Sequence, residues 1–162
     1  MLRRGATGAV ALVAVACCAA AAAHGAVGPA VGAGGAAAAR EASAYRERFR
    51  VACAPWGRKL AQVPAPASVG SPVVLATLAG RVLPLLEGQA KAVGAVPAPA
   101  ALRDGASRLL AENRAAIEAV RLMGAAARKG DIAEAQRQLA AFLTAQEVAR
   151  TRADVLGLRC TG

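Results

Sequence analysis

The chain has 162 residues, enough for one domain. Most of its apolar residues are alanine, and its only rings are Tyr45, Phe49, Trp56 and Phe142. A core of that kind is built from Leu, Val, Ile and close-packed Ala, which argues against a strand sandwich and for helices packed near each other. The formal charge of +10 fits an anionic partner such as nucleic acid, lipid headgroups or a cell-wall polymer. It equally fits the Arg, Ala and Gly bias of a GC-rich gene, because the Arg residues are scattered among acids along every predicted helix instead of gathered in a stripe.

Residues 1–23 have the layout of an export signal. Arg3-Arg4 is a short basic start, Val10 to Ala23 is apolar, and no Asp, Glu, Lys or Arg follows until Arg40. The uncharged run is also long enough to span a bilayer, so an uncleaved anchor competes, although Ala and Gly contribute little transfer free energy. Two processing sites are present. Ala21-Ala22-Ala23 offers an A-x-A site, and Ala14-Val15-Ala16-Cys17 (residues 14–17) is similar to a lipobox, in which Cys17 would carry the lipid. Cleavage after Ala23 removes Cys17 and Cys18 and leaves an even number of cysteines; cleavage before Cys17 leaves Cys18 over unless it too is acylated. Residues 24–40 read as an Ala/Gly-rich flexible tether, and residues 41–162 as the folded domain. His24, the only histidine, falls at the edge of the leader and has no assigned role.

Glu41 to Val63 is the first predicted helix. Tyr45, Phe49, Cys53, Trp56, Leu60 and Val63 step by threes and fours and so share one face. Pro55 falls inside it, which predicts a kink or a second segment starting there. After Pro64-Ala65-Pro66-Ala67, Ser71-Pro72 reads as a cap and first helical residue. The second helix runs to about Val93, with Val74, Leu75, Leu78, Val82, Leu85 and Leu86 as its apolar face and a kink expected at Pro84.

Pro99 to Leu158 reads as one long helical hairpin hinged at Gly130-Asp131, with arms of about 40 Å at 1.5 Å per residue. Leu102, Ala106, Leu109, Asn113, Ile117, Val120, Met123 and Ala127 form one stripe. Ile132, Ala135, Leu139, Phe142, Gln146, Ala149, Ala153 and Leu156 form the other. Gly130 suits a left-handed helix end, Asp131 an N-cap with Glu134 in capping-box position, and Gly157 a second left-handed end with Leu158 folding back. Asp104–Arg108, Glu118–Arg121, Glu134–Arg137 and Glu147–Arg150 have ion-pair spacing. Four helices on short loops favour an all-α, up-down-up-down four-helix bundle.

Cys53 and Cys160 survive either processing route. In an exported chain such a pair most often bonds, and two separate buried thiols are the alternative. The pairing is awkward if Cys53 lies deep inside the first helix, because the tail of a bundle should meet that helix near its start. Either the first helix starts later, near Arg48, or the tail climbs back. The lipobox-like leader, the Ala/Gly tether, Cys53 before a Pro-rich exit, the prolines at 97 and 99, the Gly130-Asp131 turn and the ending Leu156-Gly157-Leu158-Arg159-Cys160 resemble small secreted or lipoprotein-like helical proteins of actinobacteria. The likeness covers about residues 41–162. It implies a helical fold, a disulfide and an envelope location. Those proteins are of uncharacterised function, so it implies no active site.

Catalysis by Ser–His or Cys–His chemistry needs a histidine that residues 41–162 lack, and no phosphate loop, C-x-x-C or di-iron Glu-x-x-His pattern is present. No catalytic, cofactor-binding or metal residue is assigned. Asn113 and Gln146 sit on core stripes, either as a polar site or as register devices. The sequence reading is therefore a non-enzymatic cell-envelope or secreted bundle with an interaction or scaffold role. Its expected partner is an envelope component or an anionic surface, with membrane contact only through the leader or a lipid, no specific nucleic acid, and an open oligomeric state. The alternative is a binding module for a small hydrophobe, lipid or haem, between kinked helices, with Met123 and Tyr45 as the only candidate axial ligands.

Overall fold

The computed structural model describes residues 33–66 and 68–160. The expected export signal, Cys17 and the expected tether up to residue 32 lie outside the described residues. Four helices, α1 (Ala33–Ala61), α2 (Pro72–Gly94), α3 (Arg103–Arg128) and α4 (Ile132–Leu156), and one 3-10 turn (Ala100–Leu102) make up the fold. They form an all-α, up-down-up-down bundle in which α4 lies along α3, α3 along α2, and α2 along α1.

The α3–α4 hairpin follows its sequence signals closely. Gly130 takes a left-handed φ of 77°, and the Gly130 and Asp131 amides donate to the carbonyls of Ala127 and Ala126. This is the double bond of a glycine-terminated helix, which satisfies carbonyls that the helix end would leave open. Asp131 then caps α4, its Oδ1 accepting the Glu134 amide at 2.9 Å. Only half of the capping box forms. The Asp131 amide is already used at the end of α3, and the Glu134 carboxylate accepts from Arg137 and Gln138 instead. Gly157, with φ 67°, ends α4 in the same way, and Leu158 folds back to become 2% exposed. Ion pairs close at Glu118–Arg121, Glu134–Arg137 and Glu147–Arg150. Asp104 and Arg108 form none among the described residues.

Two apolar clusters hold the helices together. In the first, Leu75, Leu78 and Leu86 of α2 meet Ile117, Val120 and Met123 of α3 and Ala135 and Leu139 of α4. In the second, Tyr45, Phe49 and Cys53 of α1 meet Val93, Ala106, Leu109, Ala149 and Leu158. Alanine and glycine let the axes approach: Ala79 of α2 faces Gly124 of α3, where an added methyl would come within 2.9 Å of the Ala79 Cβ. By length and composition α2 is apolar enough to cross a membrane, with a mean hydropathy of 1.2. Here Leu75, Leu78, Leu86 and Val93 are spent on the two clusters, while Arg81, Glu87 and Lys91 are exposed.

The first helix departs from expectation. It starts at Ala33, not Glu41, so residues 33–40 of the predicted tether are helical. Alanine has the highest helix propensity of any residue, and an Ala-rich run has no apolar periodicity by which a sequence reading can see it. The helix continues unbroken through Pro55, and α2 through Pro84. Both prolines are exposed, so the carbonyls deprived of a partner can face water. Ser71 precedes Pro72 in the expected place but makes no side-chain cap; its carbonyl accepts from Leu75 at 3.1 Å.

Helix α1 is also set low on the bundle. Trp56 lies on Gly88, near the end of α2, and Tyr45 and Phe49 reach the far cluster. Residues 34–44 therefore extend past the bundle as a helical arm. All of their side chains are exposed except Ala37 and Ala42, which are half-buried. At the other end Val63 and Val69 of the connecting loop fill in above α1, and Gln136 Nε2 donates to the Val69 carbonyl at 3.3 Å. This low setting removes the difficulty with the cysteines: the tail meets α1 at its middle because the middle is what sits at that end.

Candidate functional site

Cys53 and Cys160 are brought together and bonded, with their Cα atoms 5.4 Å apart. Cys53 is fully buried on α1, next to Ala54, and Cys160 follows the buried Leu158. Several contacts surround the bridge. Gln89 Nε2 of α2 donates to the Cys160 sulfur at 3.8 Å, and the Cys160 carbonyl packs over Gly57. Arg46 Nε donates to the Leu156 carbonyl at 2.9 Å and covers Gly157. The junction is thus a knot of α1, α2 and the tail, with Cys53 fully buried and Cys160 half-buried.

Asn113 and Gln146 do not form a polar site in the core. Both are half-buried, at the edges of their stripes, and no polar side chain is fully buried among the described residues. Met123 and Tyr45 do not converge either, since Met123 belongs to the α2–α3–α4 cluster and Tyr45 to the arm-end cluster. Burial raises the Tyr45 phenol above its ordinary value. Among the described residues there is no group of three His, Cys, Asp or Glu side chains able to hold a metal ion.

What the bundle does present is the outer face of α4. Ala141, Thr144, Val148, Thr151 and Val155 step by threes and fours and are all exposed, Val155 to 83%. A shallow depression of about 330 Å³ opens here, lined by Glu147, Val148, Thr151, Arg152 and Val155. The Arg152 guanidinium reaches Glu112 of α3 at 3.5 Å, while its Nε is buried with no hydrogen-bond partner. The Glu147 carboxyl is held below its ordinary value by the hydrogen bond from Arg150. Sequence reasoning missed this face because attention went to the inward stripe of α4. The signal was available: α4 is apolar on more than one side.

The charges are spread along all four helices, as their positions in the sequence suggest. Along the bundle Arg50, Arg121, Arg137, Arg150 and Arg152 are each matched to a carboxylate. Exposed cations that form no ion pair among the described residues are spread over both ends: Arg40, Arg48, Lys91, Arg103, Arg108 and Arg159 at the arm end, and Arg58, Lys59, Arg81, Arg114, Arg128 and Lys129 elsewhere. Compared with described protein families, curated proteins and solved structures, the chain matches none.

Proposed function

We propose that this is a non-enzymatic protein of the cell envelope or the secreted fraction, a disulfide-stapled helical bundle that acts by presenting surfaces to a partner. The observation that carries this reading is the Cys53–Cys160 bridge, which joins the buried Cys53 of α1 to the half-buried Cys160 at a junction of three chain segments. Disulfides persist in oxidising compartments and are rare in the cytosol. The export-like layout of residues 1–23 supports the same location independently. The interaction role rests on the outer face of α4, where exposed valines surround a shallow depression. Exposed apolar side chains clustered on a helix face mark contact surfaces more often than those scattered singly.

The intact mass of the protein from its own host, with and without reduction and alkylation, tests the reading. A mass starting at Cys17 with added diacylglycerol and fatty acid makes it an anchored lipoprotein. A mass starting at His24, with two alkylation sites appearing only on reduction, makes it a freely secreted domain. An unprocessed chain with four free thiols overturns the proposal.

A further inference from the structure

We infer that Cys160 is the sulfur through which the Cys53–Cys160 bridge is made and opened, by exchange with a dithiol–disulfide oxidoreductase. The two sulfurs are unequally placed. Cys53 stands well inside α1 and is 0% exposed, so a partner cannot reach it unless that helix moves. Cys160 is half-buried and lies in the tail beyond α4, where residues 158–160 have no regular structure. The tail is pinned at Leu158, which is 2% exposed and whose amide donates to the Ala153 carbonyl at 2.8 Å. Past that pin only the exposed Arg159 and Cys160 itself need turn to bring the sulfur to a partner. The surroundings differ in the same sense. The Cys160 sulfur receives an N–H from Gln89 at 3.8 Å, which favours negative charge on it. The Cys53 sulfur faces two carbonyl oxygens, of Arg50 at 3.7 Å and Arg159 at 3.8 Å, which suit a thiol donor and oppose a thiolate.

The order of steps follows from this asymmetry. The Cys160 thiol loses its proton, and its thiolate attacks one sulfur of the oxidoreductase's disulfide. That S–S bond breaks, a mixed disulfide forms on Cys160, and the other partner sulfur leaves as a thiolate. Cys53 then loses its proton and attacks the Cys160 sulfur from inside the bundle. The mixed disulfide breaks, and its partner sulfur leaves as a second thiolate. The two protons end on the partner's sulfurs, so this chain's two thiols have become a disulfide and the partner's disulfide a dithiol. Opening runs through the same mixed disulfide in reverse, with the partner's dithiol as the reductant. This inference rests on the proposed envelope location for its biological setting, since disulfides persist in oxidising compartments.

The test is exchange on the full, bridged chain under native conditions, and it needs no variant of this protein. The chain is treated with excess reduced glutathione and quenched in acid at successive times, and the site of the glutathione adduct is read by peptide mass. The adduct is expected on Cys160 over Cys53 by about tenfold or more, at a rate that rises less than about twofold in about 1 M urea, as for a local opening of the tail. An adduct on Cys53, or an equal division between the two, overturns the inference. So does a rate that climbs about fivefold or more per molar urea, because exchange would then wait for global unfolding. A bridge that yields no adduct without denaturant overturns it as well. The partner class has its own readout. Thioredoxin lacking its second active-site cysteine, added to the bridged chain, should be trapped on Cys160. Reaction with glutathione but no trapped thioredoxin would replace the oxidoreductase by small thiols and overturn the assignment of the partner. Protein from its own host with Cys53 and Cys160 both free would sink the proposed function, while the choice of sulfur would still be read on chain oxidised in vitro, so the two failures are distinguishable.

Discussion

The Trp56 indole of α1 lies directly on Gly88 of α2, so close that a methyl group added to Gly88 would come within 2.2 Å of a ring carbon. The half-buried ring also carries the Lys59 ammonium over its face at 4.6 Å. This contact fixes how far α1 slides along α2. Gly88→Ala is expected to destabilise the fold by about 1–3 kcal/mol through overpacking, less the gain of up to about 1 kcal/mol in helix propensity. Gly80, in the same helix with nothing near its missing side chain, is the matched control. Gly80→Ala should stabilise by about 0.5–1 kcal/mol. Thermal melts give both signs, and Trp56 fluorescence should shift in the first variant only.

Removing the disulfide should cost far more than removing any surface pair. It joins residues 107 apart in sequence. In the chain-entropy model closing a loop of that length is worth about 4–5 kcal/mol. Cys160→Ser, or reduction of the unmodified protein, is expected to lower the denaturant midpoint accordingly. Cys53→Ala should lower it as well, because Cys53 is fully buried.

The α3–α4 turn offers a sharper test of local structure. Asp131→Ala removes the cap on the Glu134 amide and should cost about 1 kcal/mol. Gly130→Ala forces a side chain into a left-handed conformation at φ 77° and should cost about 1 kcal/mol or more, although nothing crowds the site.

Stability should fall off at both extremes of pH. In the folded chain the Glu47 carboxyl is lowered by the hydrogen bond from Arg50, Glu134 by Gln138 and then Arg137, and Glu147 by Arg150. Unfolding releases these carboxyls, so in acid the unfolded chain binds more protons. Their contribution is present above about pH 4.5 and is lost as pH falls through the lowered folded values. All three are surface groups, so salt should shrink the effect. Tyr45 sets the alkaline edge. Its phenol is raised above 10.0 by burial, so the unfolded chain gives up that proton first and stability declines as pH rises past 10.0. Melts across pH check both edges; Glu47→Gln, Glu134→Gln and Glu147→Gln together should flatten the acid one.

Val155→Lys on the outer face of α4 should leave stability within about 0.5 kcal/mol of the parent, since the side chain is 83% exposed. A larger loss in dilute solution would mean that this face is covered by something the isolated chain provides. A melting temperature independent of protein concentration in both forms is the expected result.

The parts of this fold legible in the sequence are those set by local chemistry. Leu109, Val120, Met123, Ala135 and Leu139 were placed in the core by spacing alone, and Gly130, Asp131 and Gly157 by the backbone conformations their positions demand. Asn113 and Gln146 were assigned to the same stripes but sit at their edges, because a stripe drawn by threes and fours is wider than the face that is covered. The helical arm was not legible, since a run of alanine looks the same as helix or as tether. Nor was the low position of α1, which depends on one ring meeting one glycine from another helix.

The Cys53–Cys160 bridge has a mechanical consequence. It connects a point partway along α1 directly to the last described residue of the tail. A force pulling the arm against the chain's far end would run along residues 33–53, cross the sulfur–sulfur bond and leave through Cys160. Residues 54–159, which hold nearly all of the bundle, would form a side loop off the load path. Tension could unwind the arm, yet α2, α3 and α4 would stay folded until the covalent link was cut.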